Sequence, residues 1–187
     1  MRTARATAAA VVAVPLALGG LASHSHAQDA SPSPSGTFGP GCSALSQKAD
    51  TAKDKAVEAA AAYPQLSQLV SAVVRAGLSG TLDGKPDVTV FAPNNEAFQN
   101  VTASQLSSLL SDQGQLEKVL TYHVVDQQIT PNELSKGSFT TLEGGKLTTS
   151  GSGTDFKVND KANIVCGNIK AANATIYVID AVLQPSS

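Results

Sequence analysis

The chain has 187 residues, 42% of them hydrophobic and 15% charged, with a net charge of -2, three histidines and two cysteines. That length allows one domain around one core. No basic stripe occurs and no aromatic residues sit among lysines, which argues against a nucleic-acid platform.

At the start, Arg2 and Arg5 precede an apolar stretch, 8–18, that is too short to span a bilayer and is interrupted by Pro15. Ser25-His26-Ala27 then offers a small-x-small cleavage site, so residues 1–27 read as a secretory signal peptide and the mature chain begins at Gln28. A secreted, extracellular protein follows, with no transmembrane anchor after signal cleavage. Loss of Arg2 and Arg5 leaves 11 basic against 15 acidic residues. Residues 28–41, rich in Pro, Ser and Gly, bury too little apolar surface to offset ordering and read as a flexible leader. The globular part is expected from 42 to 187.

In an oxidising compartment the two cysteines, Cys42 and Cys166, are expected to form a disulfide. Two thiols are too few for a structural zinc site. His24 and His26 leave with the signal, so His123 is the one histidine of the mature chain and no histidine metal cluster is possible. Its neighbours Leu116, Val119, Leu120 and Val124 point to a core histidine with its ring nitrogens bonded to backbone.

Along the domain, 53–63 is alanine-rich and helix-prone, and Tyr63-Pro64 breaks it and starts a second helix. Leu66, Leu69, Val70, Val73 and Val74 form the apolar stripe of that helix, which Gly77 ends. Asp83-Gly84 marks the turn into a strand at Val88, and Pro93 stops that strand before an Asn94 or Asn95 cap. Thr102 to Gln105 has capping-box spacing ahead of Leu106, Leu109 and Leu110. Another helix follows from Asp112 and runs into Tyr122-His123-Val124-Val125, which reads as a strand. Thr130-Pro131-Asn132-Glu133 opens a helix of less than two turns. From Ser138 the period becomes two, with Leu147 and Thr149, Phe156 and Val158, and Ile164 and Cys166 alternating against polar neighbours. Helices first and a meander of short strands afterwards predict an α+β fold, with 88–92 joining the sheet from a distance.

Two segments, VTVFAPNNEAF at 88–98 and NATIYVIDAVLQP at 173–185, resemble the signature segments that open and close a fasciclin-like domain, and Tyr122-His123 matches the family's central pair. GPGC at 39–42, LTYHVV at 120–125 and VCG at 165–167 extend the similarity to the mycobacterial secreted and surface members. The resemblance implies a wedge of two small β-sheets flanked by several helices. Its structural motif residues fall on Thr89, Phe91, Pro93, Tyr122, His123, Asn173, Tyr177 and Asp180. Animal members carry an Asp-Ile pair implicated in integrin binding; here the positions are Asn168 and Ile169, so that role is not expected. Tyr177 replaces a histidine common in the family and reads as a packed residue with a bonded hydroxyl.

Function follows by comparing three classes. No GxSxG, GxxxxGK[ST] or HExxH is present, and Asp155, Asp160 and Asp180 read as turn and surface acids, so no enzyme, catalytic residue, cofactor or metal is expected. The triplets at Asn100 and Asn173 fit N-glycosylation but sit behind a bacterial-looking signal. The resemblance implies a cell-adhesion or interaction module that binds a cell-surface, matrix or envelope component. Candidate contact segments are 102–111 and 131–136. The alternative is a carrier of an apolar small molecule or lipid in a groove of the β-wedge.

Overall fold

The computed structural model describes residues 36–45 and 51–185. The expected signal peptide lies outside the described residues, as does most of the leader. The end of that leader differs from the expectation: Phe38 is buried and forms a bridge with Gly167. Gly41 N–H also donates to the Val165 carbonyl at 2.8 Å. Packing therefore reaches back past Cys42, because one aromatic ring in an otherwise polar stretch finds a cleft of its own size.

Short helices fill the first half: α1 (Cys42–Leu45), α2 (Ala56–Ala61), α3 (Ser67–Arg75) after a 3-10 turn at Pro64–Leu66, and α4 (Ser79–Gly84). Leu66, Leu69 and Val73 bury the stripe of α3, whereas Val74, expected on that face, is 61% exposed. At 100° per residue Val74 falls on the solvent edge of the stripe. Gly77, at φ 71°, ends the helix in the left-handed conformation that only glycine adopts without cost. Strand β1 (Val88–Pro93) leads to α5 (Asn95–Gln99), and the Asn94 side chain caps that helix by accepting from Ala97 N–H at 2.8 Å.

Two further helices follow, α6 (Ala103–Ser111) with Thr102 as its cap and α7 (Gln113–Tyr122) with Asp112 as its cap. Tyr122 belongs to α7, so only Val124–Val125 form the expected strand, β2. The period set by Leu116 and Leu120 carries the helix one turn past the point where β-forming residue types begin. The segment after Thr130 is a 3-10 helix, Pro131–Ser135, and the Glu133 half of its capping box forms, with Oε2 accepting from Thr130 N–H and Oγ1, both at 2.7 Å. Strands β3 (Lys136–Thr140), β4 (Lys146–Ser152), β5 (Asp155–Val158), β6 (Ala162–Lys170) and β7 (Ala174–Ile179) complete the order.

All seven strands share one sheet in the order β2-β1-β7-β6-β5-β4-β3. Its halves are the two small sheets of the wedge, and they are joined because β6 pairs with β5 at Asn163 and with β7 from Ile164 onward. A bridge from Val125 to Thr141 nearly closes the ends. The two signature strands are direct neighbours and parallel, paired from Val88 with Ala174 to Pro93 with Ile179. Every residue of both is buried. Alternation divides their faces: Val88, Val90, Ala92, Ala174, Ile176 and Val178 pack against the helices. Phe91, Tyr177 and Ile179 turn the other way, into an aromatic-rich cluster between the sheet halves. Burial on both faces explains why these strands read as continuous apolar runs.

The signature residues and the α6 face

The sequence-predicted motif residues turn inward, and their polar atoms are taken up by the fold. Thr89 Oγ1 donates to the Gln127 carbonyl and accepts from Ile129 N–H, both at 2.8 Å. The Tyr177 hydroxyl donates to the carbonyl of the same Ile129 at 2.8 Å. Neighbouring signature strands thus hold both backbone polar groups of one buried residue. The Phe91 ring stacks on Tyr177 with centroids 5.7 Å apart. Burial, with a smaller contribution from the negative charge of Glu133, pushes the Tyr177 hydroxyl above its ordinary pKa and keeps it a neutral donor. Pro93 closes β1 where a further ladder donor is not needed.

Tyr122 and His123 act in opposite directions. The Tyr122 hydroxyl donates to the Lys146 carbonyl at 2.8 Å and accepts from Asn159 Nδ2 at 2.9 Å, tying α7 to the β4–β5 side. His123 Nε2 accepts from Leu183 N–H at 2.9 Å, so Nδ1 carries the proton and donates to the Val119 carbonyl at 2.7 Å. Desolvation lowers the His123 pKa to about 4, with the Val119 bond working the other way. The ring is neutral and fully committed, as a core histidine should be.

Asn173 joins three elements. Its Nδ2 donates to the carbonyls of Leu82 and Lys85, both at 2.8 Å, while Oδ1 accepts from Ala56 N–H at 2.9 Å. A glycan on that nitrogen would replace one of its two protons and so remove at least one of the first two bonds. Asp180 receives the backbone and side-chain N–H groups of Asn163, each at 2.7 Å, across the end of β6. Cys42 and Cys166 are bonded with Cα atoms 4.8 Å apart, fixing the segment around Phe38 against β6. Asn168 and Ile169, at the positions of the animal Asp-Ile pair, are buried, and Asn168 Nδ2 donates to the Gly36 carbonyl at 3.0 Å.

Two participants escaped sequence reading. Asn159, whose side chain donates to the Tyr122 hydroxyl, sits at φ 52° and also accepts from Thr148 N–H at 2.8 Å. Phe38 packs edge-on to Phe156 at 5.4 Å and covers Gly167, where a Cβ would lie 2.4 Å from its ring. Nothing local marked Asn159 as a tyrosine partner, and a lone phenylalanine in a Pro, Ser and Gly-rich stretch was the one signal for Phe38.

Of the two candidate contact segments, 131–136 is anchored by buried Pro131 and Leu134. Helix α6 differs: none of its residues is buried, and Leu106, Leu109 and Leu110 are only half covered. A groove of about 400 Å³ runs along one side, with Val101, Leu109, Val119, Val182 and Pro185 as its aliphatic lining and Lys118 at its edge. A second groove of about 270 Å³ on the other side includes Phe98, Leu106, Leu110 and Arg75. Beneath the helix a void of about 10 Å³ touches the linings of both and reaches His123. Neither groove is lined by an acidic side chain. The centre of the β-wedge is instead filled by Phe38, Phe91, Tyr122, Phe156 and Tyr177. Among the described residues, no group of His, Cys, Asp and Glu could hold a metal ion, and no helix is long and apolar enough to cross a membrane.

A seven-stranded α+β wedge stitched by paired signature strands is the arrangement of a fasciclin domain, and the fasciclin domain family model matches residues 64–185. The chain belongs to that family. It is 41% identical over 148 residues to the cell surface glycolipoprotein MPB83 of Mycobacterium bovis, covering 73% of this chain and 63% of that protein. It thus spans less than two thirds of that relative's length. With the immunogenic protein MPB70 of Mycobacterium bovis it shares 36% identity over 164 residues, covering 79% of this chain and 81% of the relative. Among solved structures, a fasciclin domain pair from the insect cell adhesion molecule fasciclin I aligns with a TM-score of 0.55 at 18% identity. That alignment covers 64% of this chain and 45% of the insect chain, and bears on the fold.

Proposed function

We propose that the protein is a secreted, extracellular, non-enzymatic interaction module that adheres to a cell-surface, matrix or envelope component through the α6 face. The observation that carries this reading is the division of labour in the molecule. Signature residues spend their polar atoms on internal bonds, while α6 keeps an outer row of Ser104, Ser107, Ser108 and Ser111 exposed above two grooves. A family relative named for the cell surface and a fold neighbour described as a cell adhesion molecule support the placement. The carrier alternative loses its expected site, because aromatic rings occupy the β-wedge; open apolar volume adjoins α6.

Single-domain contacts of this size are modest in area, so affinity gains from several copies displayed together. The test is binding of purified protein to envelope and host-surface fractions, comparing wild type with Ser104→Arg/Ser108→Arg and with Asn132→Arg. Loss of binding in the α6 variant alone, at unchanged melting temperature, is the expected result. Equal binding by all three proteins removes α6 as the contact face, and turnover of a substrate by the pure protein overturns the non-enzymatic reading.

A further inference from the structure

We infer that the larger groove beside α6 is a binding site for a single-chain anionic amphiphile, an acyl chain ending in a carboxylate or phosphate. The inference rests on the interaction role given to the α6 face and names the chemistry of what that face takes up.

Three features select this class. The volume of about 400 Å³ lies within the range of about 300–1,000 Å³ usual for small-molecule sites. Its apolar lining, Val101, Leu109, Val119, Val182 and Pro185, is aliphatic and suits an acyl chain, while Ser104, Gln105, Ser108, Gln115 and Gln184 offer neutral hydrogen-bonding groups to a headgroup. Its charge is one-sided. The sequence holds more acids than bases, yet Lys118 is the single charged residue of the groove. Lys85 with Asp126 is the ion pair formed among the described residues, and Lys118 takes no part in one. An anionic headgroup therefore meets an ammonium already at the groove, with no carboxylate among the described lining residues.

The acyl chain has a direction to follow. Leu109, Val119 and Val182 line both the groove and the void beneath α6, where Leu116, Leu120 and Phe98 continue the apolar wall. Because α6 buries none of its own residues, shifting it costs less packing than moving any helix with a buried anchor. The exposed row of serines argues against insertion of this helix into a bilayer, which requires an apolar outer face.

Oleate and oleoyl lysophosphatidate are the anionic probes and oleyl alcohol the uncharged one, with full mature protein and isothermal titration or intrinsic tyrosine fluorescence as readouts. The anions should bind at least about 5-fold more tightly than the alcohol, and Lys118→Gln should erase that difference. Ser108→Trp, placed at the groove rim, should remove binding of all three probes, while Arg75→Gln, in the other groove, should change none. Melting temperatures identify any variant that misfolds. Equal binding of anion and alcohol, indifference to Lys118→Gln, or binding to anionic vesicles without binding to monomeric oleate each overturns the inference. If envelope material still binds through α6 while oleate does not, the lipid assignment fails alone and the interaction role stands.

Discussion

The paired signature strands and helix α6 show two ways in which a segment can belong to the same fold. In β1 and β7 every residue is buried, both faces pack, and the hydroxyls of Thr89 and Tyr177 converge on Ile129. Each bond there is protected from water, so losing one leaves its partner stranded. In α6 the leucines are half covered and the capping bonds lie at the surface, as between Thr102 Oγ1 and Gln105 Oε1 at 2.9 Å. Rigidity is concentrated in one region, and freedom to meet another molecule is left to the other.

The contrast sets a scale of expected effects. Replacing Cys42 and Cys166 with serine should cost the most, about 5 kcal/mol in the chain-entropy description of a 124-residue separation. Urea unfolding of the oxidised and double-mutant proteins measures it. Phe91→Ala should follow at about 3–5 kcal/mol, from lost transfer energy and a cavity against Tyr177. If Leu110→Ala, on half-buried α6, proved equally costly, the two regions would not differ as described.

His123 supplies a pH-dependent version of the same test. Its folded pKa, about 4, lies below the ordinary 6.5, so between those values the unfolded chain binds more protons than the folded one. Stability is full above about pH 6.5 and falls as pH drops through the window toward 4, by on the order of 3 kcal/mol. Chemical denaturation at pH 7.5 and pH 4.5 reads the slope. His123→Ala should unfold more easily at pH 7.5, since Leu183 N–H and the Val119 carbonyl lose their partner, and should lack this portion of the slope. The smallest change is expected from Thr102→Ala, about 1 kcal/mol or less for an exposed cap. Hydrogen exchange in α6 should quicken in that variant while β1 and β7 stay protected.

Local chemistry made much of this legible. Pro93, Asn94, the Thr130–Glu133 box and the alternation of Leu147, Phe156 and Ile164 each act over a few residues, and each places its element. The parallel pairing of β1 with β7 was not legible from those signals, because register between strands some ninety residues apart leaves no mark in either one. Asp83-Gly84 reads as a turn, yet both residues close helix α4, whose Gly80, Asp83 and Gly84 are poor helix formers; packing of Leu82 and the Asn173 bond to its carbonyl hold it. For α6 the spacing of Leu106, Leu109 and Leu110 shows one apolar side but not how incompletely it is covered. Composition reports that a face is apolar, and only the neighbouring elements decide whether it is closed.

The position of β7 also dictates when the domain can exist. Its residues fill the gap between β1 and β6, and Tyr177 and Asn173 hold loops formed far earlier in the chain. A polypeptide delivered N-terminus first therefore carries β1 as an unfinished edge until Ala174–Ile179 arrive. Truncation before residue 173 is expected to leave no smaller stable domain, since the place between β1 and β6 would be empty; circular dichroism of the truncated chain checks this. Contacts of such long sequence separation favour slow, late closure, which keeps the polypeptide pliable until β7 is present to fill the sheet.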